Sequence, residues 1–90
     1  MYKLRFLDKA LDDLKKIDKP HQVIIKEKLS ILAKNPSVLS NNIKKISGTK
    51  EKLYRLRIGS YRVIFKKEKD KLIIIVIRIG HRKEIYISYH

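Results

Sequence analysis

Arginine is concentrated in the second half of this chain, at positions suited to phosphate binding. Five of the six arginines lie between residues 55 and 82, whereas the first half contains only Arg5. Arginine presents a rigid fork of N–H donors that grips phosphate oxygens bidentately, whereas lysine supplies a more diffuse charge. The clustering therefore predicts a local phosphate site in addition to a generally basic surface.

Two of these arginines alternate with apolar residues, which is typical of a half-buried β-strand. Tyr54, Leu56 and Ile58 are the apolar positions and should face a core, so Arg55 and Arg57 should face the open side of the sheet. Side chains two residues apart on a strand lie about 6.6 Å from each other. Arg55 and Arg57 are therefore spaced to share one polyanion.

Further arginines are expected to reach the same place from other parts of the chain. Gly59-Ser60 predicts a tight hairpin, which would bring Arg62 close to Arg57, with the register uncertain by one residue. Arg82 follows a long apolar strand. The simpler interpretation is a solvated basic face without special geometry.

Groups able to exchange protons are few. His81 lies next to Arg82 and is a candidate acid or base, because imidazole titrates near neutral pH. Tyr86, if it faces the arginines, is a second candidate or could orient a ribose hydroxyl. A metal site is not expected, because the chain has no cysteine and its three histidines are scattered. No cofactor is predicted.

Composition limits the class of protein. The 90 residues predict a single domain over residues 1–90, and a 43% hydrophobic content excludes a disordered chain. The net charge of +14 favours a polyanionic partner, with nucleic acid first. The longest apolar run, residues 72–77, is too short for a membrane span of about 20 residues. We expect a cytoplasmic protein with no membrane partner.

The order of predicted elements indicates an α+β domain. A strand over residues 2–6 precedes two helices: the first is capped by Asp8, and the second begins at Pro20 and ends at Asn35-Pro36. An edge strand over 43–47, two hairpin strands and a central strand over 72–79 follow. Residues 84–89 are expected to form a last short strand or turn. The fold prediction is β-α-α-β-β-β(-β), with a helical hairpin on one face of an antiparallel sheet.

An apolar patch is also expected on the open face of this sheet. The alternation of residues suggests that Ile64, Ile74 and Val76 lie there, beside the arginines. An apolar patch rimmed by arginine usually marks a partner site. A helix from another chain, carrying acidic residues, would suit it.

Two motifs resemble those of a known family. The run LYRLRIGSYRVIF, residues 53–65, is similar to the central motif of the RelE/ParE toxin superfamily, and IGHRKEIY, residues 79–86, to its closing motif. The opening strand, the helical hairpin and Gly48 also fit. Three features depart from the family: Arg55 and Arg57 stand where lysine is common, the hairpin is shorter than in some members, and we expect no C-terminal helix of the kind that some relatives carry.

The resemblance implies the toxin of a type II toxin–antitoxin system. In the RelE branch the toxin is an endoribonuclease, an mRNA interferase, which cuts messenger RNA in the ribosomal A site. The RNA 2′-hydroxyl attacks the neighbouring phosphate. By motif, the implied catalytic residues are Arg55, Arg57, Arg62, Arg82 and Tyr86. The nearby cationic residues predicted to bind RNA are Lys50, Lys52, Lys66, Arg78 and Lys83.

The resemblance also implies partners and leaves an alternative open. The expected partners are the ribosome with its mRNA and a small acidic antitoxin of the RelB kind. That antitoxin would bury the arginine cluster or displace a C-terminal element. The alternative is a ParE-like toxin that inhibits DNA gyrase without cutting RNA. A third possibility is an RNA-binding domain without catalytic activity.

Overall fold

The computed structural model describes residues 1–48 and 50–88, and the side chains of residues 1–48 and 50–85. Because apolar residues alternate with polar ones in the strands and recur at helical spacing in the helices, the chain forms five strands and three α-helices within this part. The elements are β1 (Lys3–Phe6), α1 (Asp8–Lys15), α2 (Lys19–Lys34), a 3₁₀ helix (Pro36–Asn42), β2 (Ile43–Ile46), β3 (Leu53–Ile58), β4 (Tyr61–Glu68), β5 (Ile73–His81) and α3 (Arg82–Ser88).

The strands form one sheet in the order β1-β5-β4-β3-β2. The successive strands β2 to β5 are antiparallel, as short connections require. β1 differs from the expectation, because it pairs in parallel with β5 at the sheet edge. The two helices between β1 and the remaining strands supply the long crossover that a parallel pair needs.

The main core lies between one sheet face and the first two helices, which confirms the predicted α+β fold. α2 contributes Ile25, Leu29 and Leu32, and the strands contribute Val63 and Phe65, all at most 2% exposed. Pro20 lies in the first turn of α2, and Asn35 ends that helix, both as predicted. Asp8 is the first residue of α1 and makes no cap, since Leu7 occupies the N-cap position.

A smaller apolar cluster lies on the opposite sheet face, under α3. Ile85 of α3 is 4% exposed and packs on Ile46, Leu53 and Ile64, with Ile77 at the margin. This arrangement corrects the predicted open-face patch. Ile64 does lie on that face, but it is covered.

The other two members of the predicted patch face the helices. Ile74 and Val76 are fully buried in the main core. The register shift between Ile64 and Phe65 inserts one extra residue in β5, so simple alternation cannot be extended along that strand.

The C-terminal segment is a helix where a strand or turn was expected, and β5 continues through Gly80 and His81 before it. β5 stops at His81 because His81 pairs with Tyr61, the first residue of the neighbouring strand β4. Beyond His81 the backbone has no further strand residue to pair with. It satisfies its own hydrogen bonds in α3 instead. No helix in the described part is long and apolar enough to cross a membrane.

Candidate active site

The hairpin register places three arginines on one face of the sheet. In the β3–β4 hairpin, Arg57 lies directly opposite Arg62, as expected from the tight turn. Arg55 lies two residues before Arg57 and is directly opposite Lys44 of β2. Directly paired residues in antiparallel strands project to the same face. Four cationic side chains from three strands therefore share one end of the open face.

These side chains line a pocket of about 270 Å³. The amides of two residues at the end of the 3₁₀ helix, just before β2, complete its wall. None of the described side chains in this lining is a carboxylate. The lining residues are Asn41, Asn42, Lys44, Arg55, Arg57 and Arg62.

Arg62 is held rigidly at this pocket. It is 7% exposed, and it is the one buried charged residue in the described part of the chain. Its Nη1 donates hydrogen bonds to the carbonyl oxygens of Gly59 at 2.8 Å and Tyr61 at 2.9 Å. Gly59 adopts a φ of +58°, which glycine tolerates without strain, so the turn can bend its carbonyl towards the guanidinium. The contacts fix the orientation of the Arg62 guanidinium before any ligand arrives.

The cationic side chains of the pocket repel each other, and this repulsion opposes folding. Arg57 faces Arg62, and Arg55 faces Lys44, in direct cross-strand pairs. Like charges directly opposite each other destabilise a sheet. A bound anion would relieve the repulsion, because its charge would be shared among these side chains. Such an arrangement can hold an anion, and a phosphate group suits it chemically.

Arg82 and Tyr86 lie on α3, beside the hairpin turn. The Arg82 amide donates to the carbonyl of Ser60 at 2.8 Å, so α3 begins at the turn that follows β3. The Arg82 side chain is exposed and is not part of the pocket lining. The side chain of Tyr86 lies outside the described residues.

Gly80 allows α3 to approach the strand that carries Arg62. Gly80 pairs directly with Arg62 across β4 and β5. A Cβ at this position would lie 3.3 Å from the Cδ1 and Cγ1 atoms of Ile85. The absence of a side chain at Gly80 therefore lets Ile85 anchor α3 next to the pocket.

His81, a predicted acid or base, is not brought to the arginine pocket. It pairs with Tyr61, whose ring packs against the main core, so its side chain projects to the helix-covered face. The ring centroids of His81 and Tyr61 are 5.9 Å apart, and Tyr61 is also 5.2 Å from the ring of His21. His81 lines a separate cleft of about 490 Å³ with Asp13 and Glu84.

Arg78, predicted to bind RNA, instead joins α1 to β5 through Asp13. Its Nε donates to Asp13 Oδ2 at 2.7 Å and its Nη2 to Asp13 Oδ1 at 3.1 Å. The Ile79 amide also donates to Asp13 Oδ2, at 3.0 Å. Burial acts to raise the pKa of Asp13, but the hydrogen bonds from Arg78 and Ile79 and the charges of Arg78 and Lys16 outweigh it and lower that pKa.

The four lysines predicted to bind RNA are not among the residues that line the pocket. Lys66 is on the open face, 3.6 Å from carboxylate oxygens of both Glu51 and Glu68. Lys50 and Lys52 are exposed in the connection before β3, and Lys83 is exposed on α3.

Sequence reasoning missed three pocket residues and one ion pair. Asn41 and Asn42 lie in a segment that looked irregular, and no pattern pointed to them. Lys44 could have been found, because a strand was expected over residues 43–47 and its alternation places Lys44 opposite the face of Ile43. No local pattern in the sequence indicates that Asp13 pairs with Arg78. Within the described ranges, no group of three or more histidine, aspartate and glutamate side chains could hold a metal ion.

Comparison with known proteins gives consistent matches over nearly the whole chain. The family model "ParE toxin of type II toxin-antitoxin system, parDE" matches residues 4–86. A RelE-like toxin protein of Escherichia coli is 28% identical over 82 residues, which are 91% of this chain and 84% of that protein.

Solved structures support the same relationship. A chain of the archaeal RelE–RelB complex from Pyrococcus horikoshii has a TM-score of 0.76 and 26% identity, over 90% of this chain and 94% of that one. A chain of the RelB–RelE antitoxin–toxin complex from Methanococcus jannaschii has a TM-score of 0.64 and 32% identity, over 93% of this chain and 96% of that one. Both structures contain the toxin together with its antitoxin.

Proposed function

The chain belongs to the ParE toxin family of type II toxin–antitoxin systems, within the RelE/ParE superfamily, and from that premise we propose that it is a ribosome-dependent endoribonuclease. It cuts messenger RNA in the A site and so inhibits translation in the cytoplasm. The observation that carries this proposal is the pocket whose described lining brings together Arg55, Arg57 and Arg62 from two strands. Such a pocket suits a phosphate whose negative charge increases during a reaction.

The chemistry is the attack of an RNA 2′-hydroxyl on the adjacent phosphorus. The products are a 2′,3′-cyclic phosphate and a 5′-hydroxyl end. Arg62, fixed by the turn carbonyls, stabilises the charge on the non-bridging oxygens, and Arg55 and Arg57 hold the phosphate from β3. We assign Arg82 and Tyr86, both on α3, to the same reaction by their resemblance to the family motif, Arg82 to the phosphate charge and Tyr86 to the ribose. Arginine does not release a proton at ordinary pH, so the arginines act through their charge.

The ribosome supplies the alignment that the chain itself lacks. Attack requires the 2′-oxygen to lie in line with the departing 5′-oxygen, and an ordered A-site codon can be held in that geometry. The net charge of +14 draws the protein to ribosomal RNA. We assign backbone contacts with RNA to the exposed Lys50, Lys52 and Lys83 and to the half-buried Lys66.

Cleavage on programmed ribosomes tests the proposal. Purified protein is added to ribosomes with a filled P site and an empty A site, and the message is mapped for cuts. We expect a cut in the A-site codon, and none when the residue 5′ to the cut carries a 2′-deoxyribose. An intact message under these conditions would overturn the proposal. Growth arrest that survives both Arg62→Ala and Arg82→Ala would indicate binding without catalysis.

We also propose that a small acidic antitoxin controls this activity. The solved relatives from Pyrococcus horikoshii and Methanococcus jannaschii are complexes of a toxin and its antitoxin. An acidic chain would neutralise the arginine pocket or displace α3, whose Ile85 packs on the open face of the sheet. Purification of the tagged protein from its natural source should recover a short acidic chain. Recovery of ribosomes alone would contradict this.

A gyrase inhibitor is the second candidate, favoured by the family model, which carries the ParE name. The two activities are separated by a supercoiling assay with purified gyrase. Inhibition of supercoiling without a block in translation would favour this candidate. We expect the reverse, because the arginine pocket suits a phosphate whose negative charge increases during RNA cleavage.

A further inference from the structure

The proposed cleavage leaves one chemical requirement without a residue. When the bond from phosphorus to the 5′-oxygen breaks, the departing oxygen must receive a proton, because an alkoxide is a poor leaving group in water. A positioned acid contributes about 10²–10⁴-fold to such a step. The arginines of the pocket cannot donate this proton at ordinary pH. The amides of Asn41 and Asn42 do not ionise.

Among the described side chains that line the pocket, Lys44 is the only one that can release a proton at ordinary pH. Its position is fixed by the register of β2, because Lys44 lies directly opposite Arg55 and so projects to the same face. It is exposed, and it makes no ion pair with the residues that the structure describes. Its ammonium group is therefore available to a ligand in the pocket.

The neighbouring Lys45 provides an internal comparison. It is also exposed, but it lies opposite Tyr54, whose ring packs against the helix-covered face. Successive residues of a strand point to opposite faces. Two adjacent lysines thus share sequence context and charge, and only Lys44 lines the pocket.

We propose that Lys44 is the general acid of the cleavage reaction, an inference that rests on the function proposed above. The 2′-oxygen forms a bond to phosphorus, and its proton passes to solvent water. The bond between phosphorus and the 5′-oxygen breaks, and its electron pair takes a proton from the Lys44 ammonium. This gives the 5′-hydroxyl and a neutral amine, which is protonated again by solvent. No oxidant, metal or further reactant is required.

A leaving group that needs no proton tests this role. Ribosome-bound messages are prepared with either the natural 5′-oxygen or a 5′-bridging sulfur at the cut site, because a thiolate departs without an acid. Lys44→Arg keeps the positive charge but cannot donate. We expect it to cut the natural message about 100-fold more slowly and the sulfur-containing message at the wild-type rate. Lys45→Arg should cut both like the wild type.

Two outcomes would overturn the role of Lys44 alone. One is wild-type cleavage of the natural message by Lys44→Arg. The other is equal slowing on both messages, which would mean that Lys44 positions the RNA without donating a proton. If the wild-type protein cuts neither message, the proposed nuclease function itself fails, so the two failures are distinguishable. Thermal unfolding of Lys44→Arg serves as the folding control.

Discussion

Arg62 and Arg78 lie on neighbouring strands, and their surroundings differ in kind. Arg62 is buried, it donates to two backbone carbonyls, and it faces Arg57 across the hairpin. Arg78 lies opposite Ile64 and forms a two-point ion pair with the Asp13 carboxylate, which joins α1 to β5. One arginine thus keeps its charge beside other cations, whereas the charge of the other is compensated by the fold.

The two arginines are therefore suited to different roles: Arg62 to binding a ligand, and Arg78 to stabilising the fold. Two hydrogen bonds to neutral carbonyls orient Arg62 but leave its positive charge to act on a ligand. The contacts of Arg78 with Asp13 are charge-assisted, and such bonds are the stronger structural ones. We therefore expect substitutions at the pocket to change activity more than stability, and substitutions at the Asp13–Arg78 pair to do the reverse.

The largest effect is expected from charge reversal in the pocket. Arg57→Glu should lower cleavage about 100-fold or more, because a carboxylate would repel the phosphate that Arg57 holds. The same change places opposite charges across the hairpin, so the free energy of unfolding should stay equal or rise by up to about 1 kcal/mol. Cleavage assays and urea unfolding measure the two effects. Arg5→Glu, at an exposed position of β1, is the matched control.

The next effect is expected at the ion pair. Asp13→Asn removes the charge that partners Arg78 and weakens the bond from the Ile79 amide, so the protein should lose about 1–3 kcal/mol of stability. Its cleavage rate should match that of the wild type at temperatures where it is folded. Asp12→Asn, on the exposed side of α1, should change neither property. A large loss of cleavage in folded Asp13→Asn would contradict the view that this ion pair stabilises the fold without acting in cleavage.

A smaller loss of stability is expected where α3 meets β5. Gly80→Ala places a methyl group 3.3 Å from two side-chain atoms of Ile85, which should cost about 1 kcal/mol. Ile85→Val shortens the same side chain. If the clash with Ile85 causes the loss of stability, the double variant Gly80→Ala with Ile85→Val should lose less stability than the two single variants together. Strict additivity would show that α3 accommodates the methyl group without strain.

The smallest effect is expected in acid. The lowered pKa of Asp13 means that its ionised form is favoured by folding. Its contribution is complete above the ordinary value of 3.8 and is lost as the pH falls through the lower folded-state pKa. The stability difference between wild type and Asp13→Asn should therefore shrink between pH 5 and pH 2, roughly the window in which such linkage operates. A constant difference would contradict this.

The sequence predicted those features that depend on local alternation. The period of two in β3 and β4 assigned Arg55, Arg57 and Arg62 to one face, and the short Gly59-Ser60 turn limited their register to within a residue. Both predictions follow from strand geometry alone, and the structure confirms them. The catalytic roles of these residues remain predictions.

The features that were missed depend on what lies next to each segment. The apolar run in β5 has no polar residue to mark its faces, and the register shift changes its alternation, so Ile74 and Val76 were assigned to the wrong face. α3 is helical because β4 begins at Tyr61, so the chain beyond His81 has no neighbouring strand residue to pair with. The Asp13–Arg78 pair joins residues 65 positions apart, which no local pattern indicates.

The most direct test of the account compares Arg62→Ala with Arg78→Ala on programmed ribosomes. Both variants remove one guanidinium, and unfolding curves set a temperature at which both are folded. We expect Arg62→Ala to cut the A-site codon about 10²–10³-fold more slowly than the wild type and Arg78→Ala to cut it at the wild-type rate. Wild-type cleavage by folded Arg62→Ala would contradict the claim that the arginine pocket is the catalytic centre.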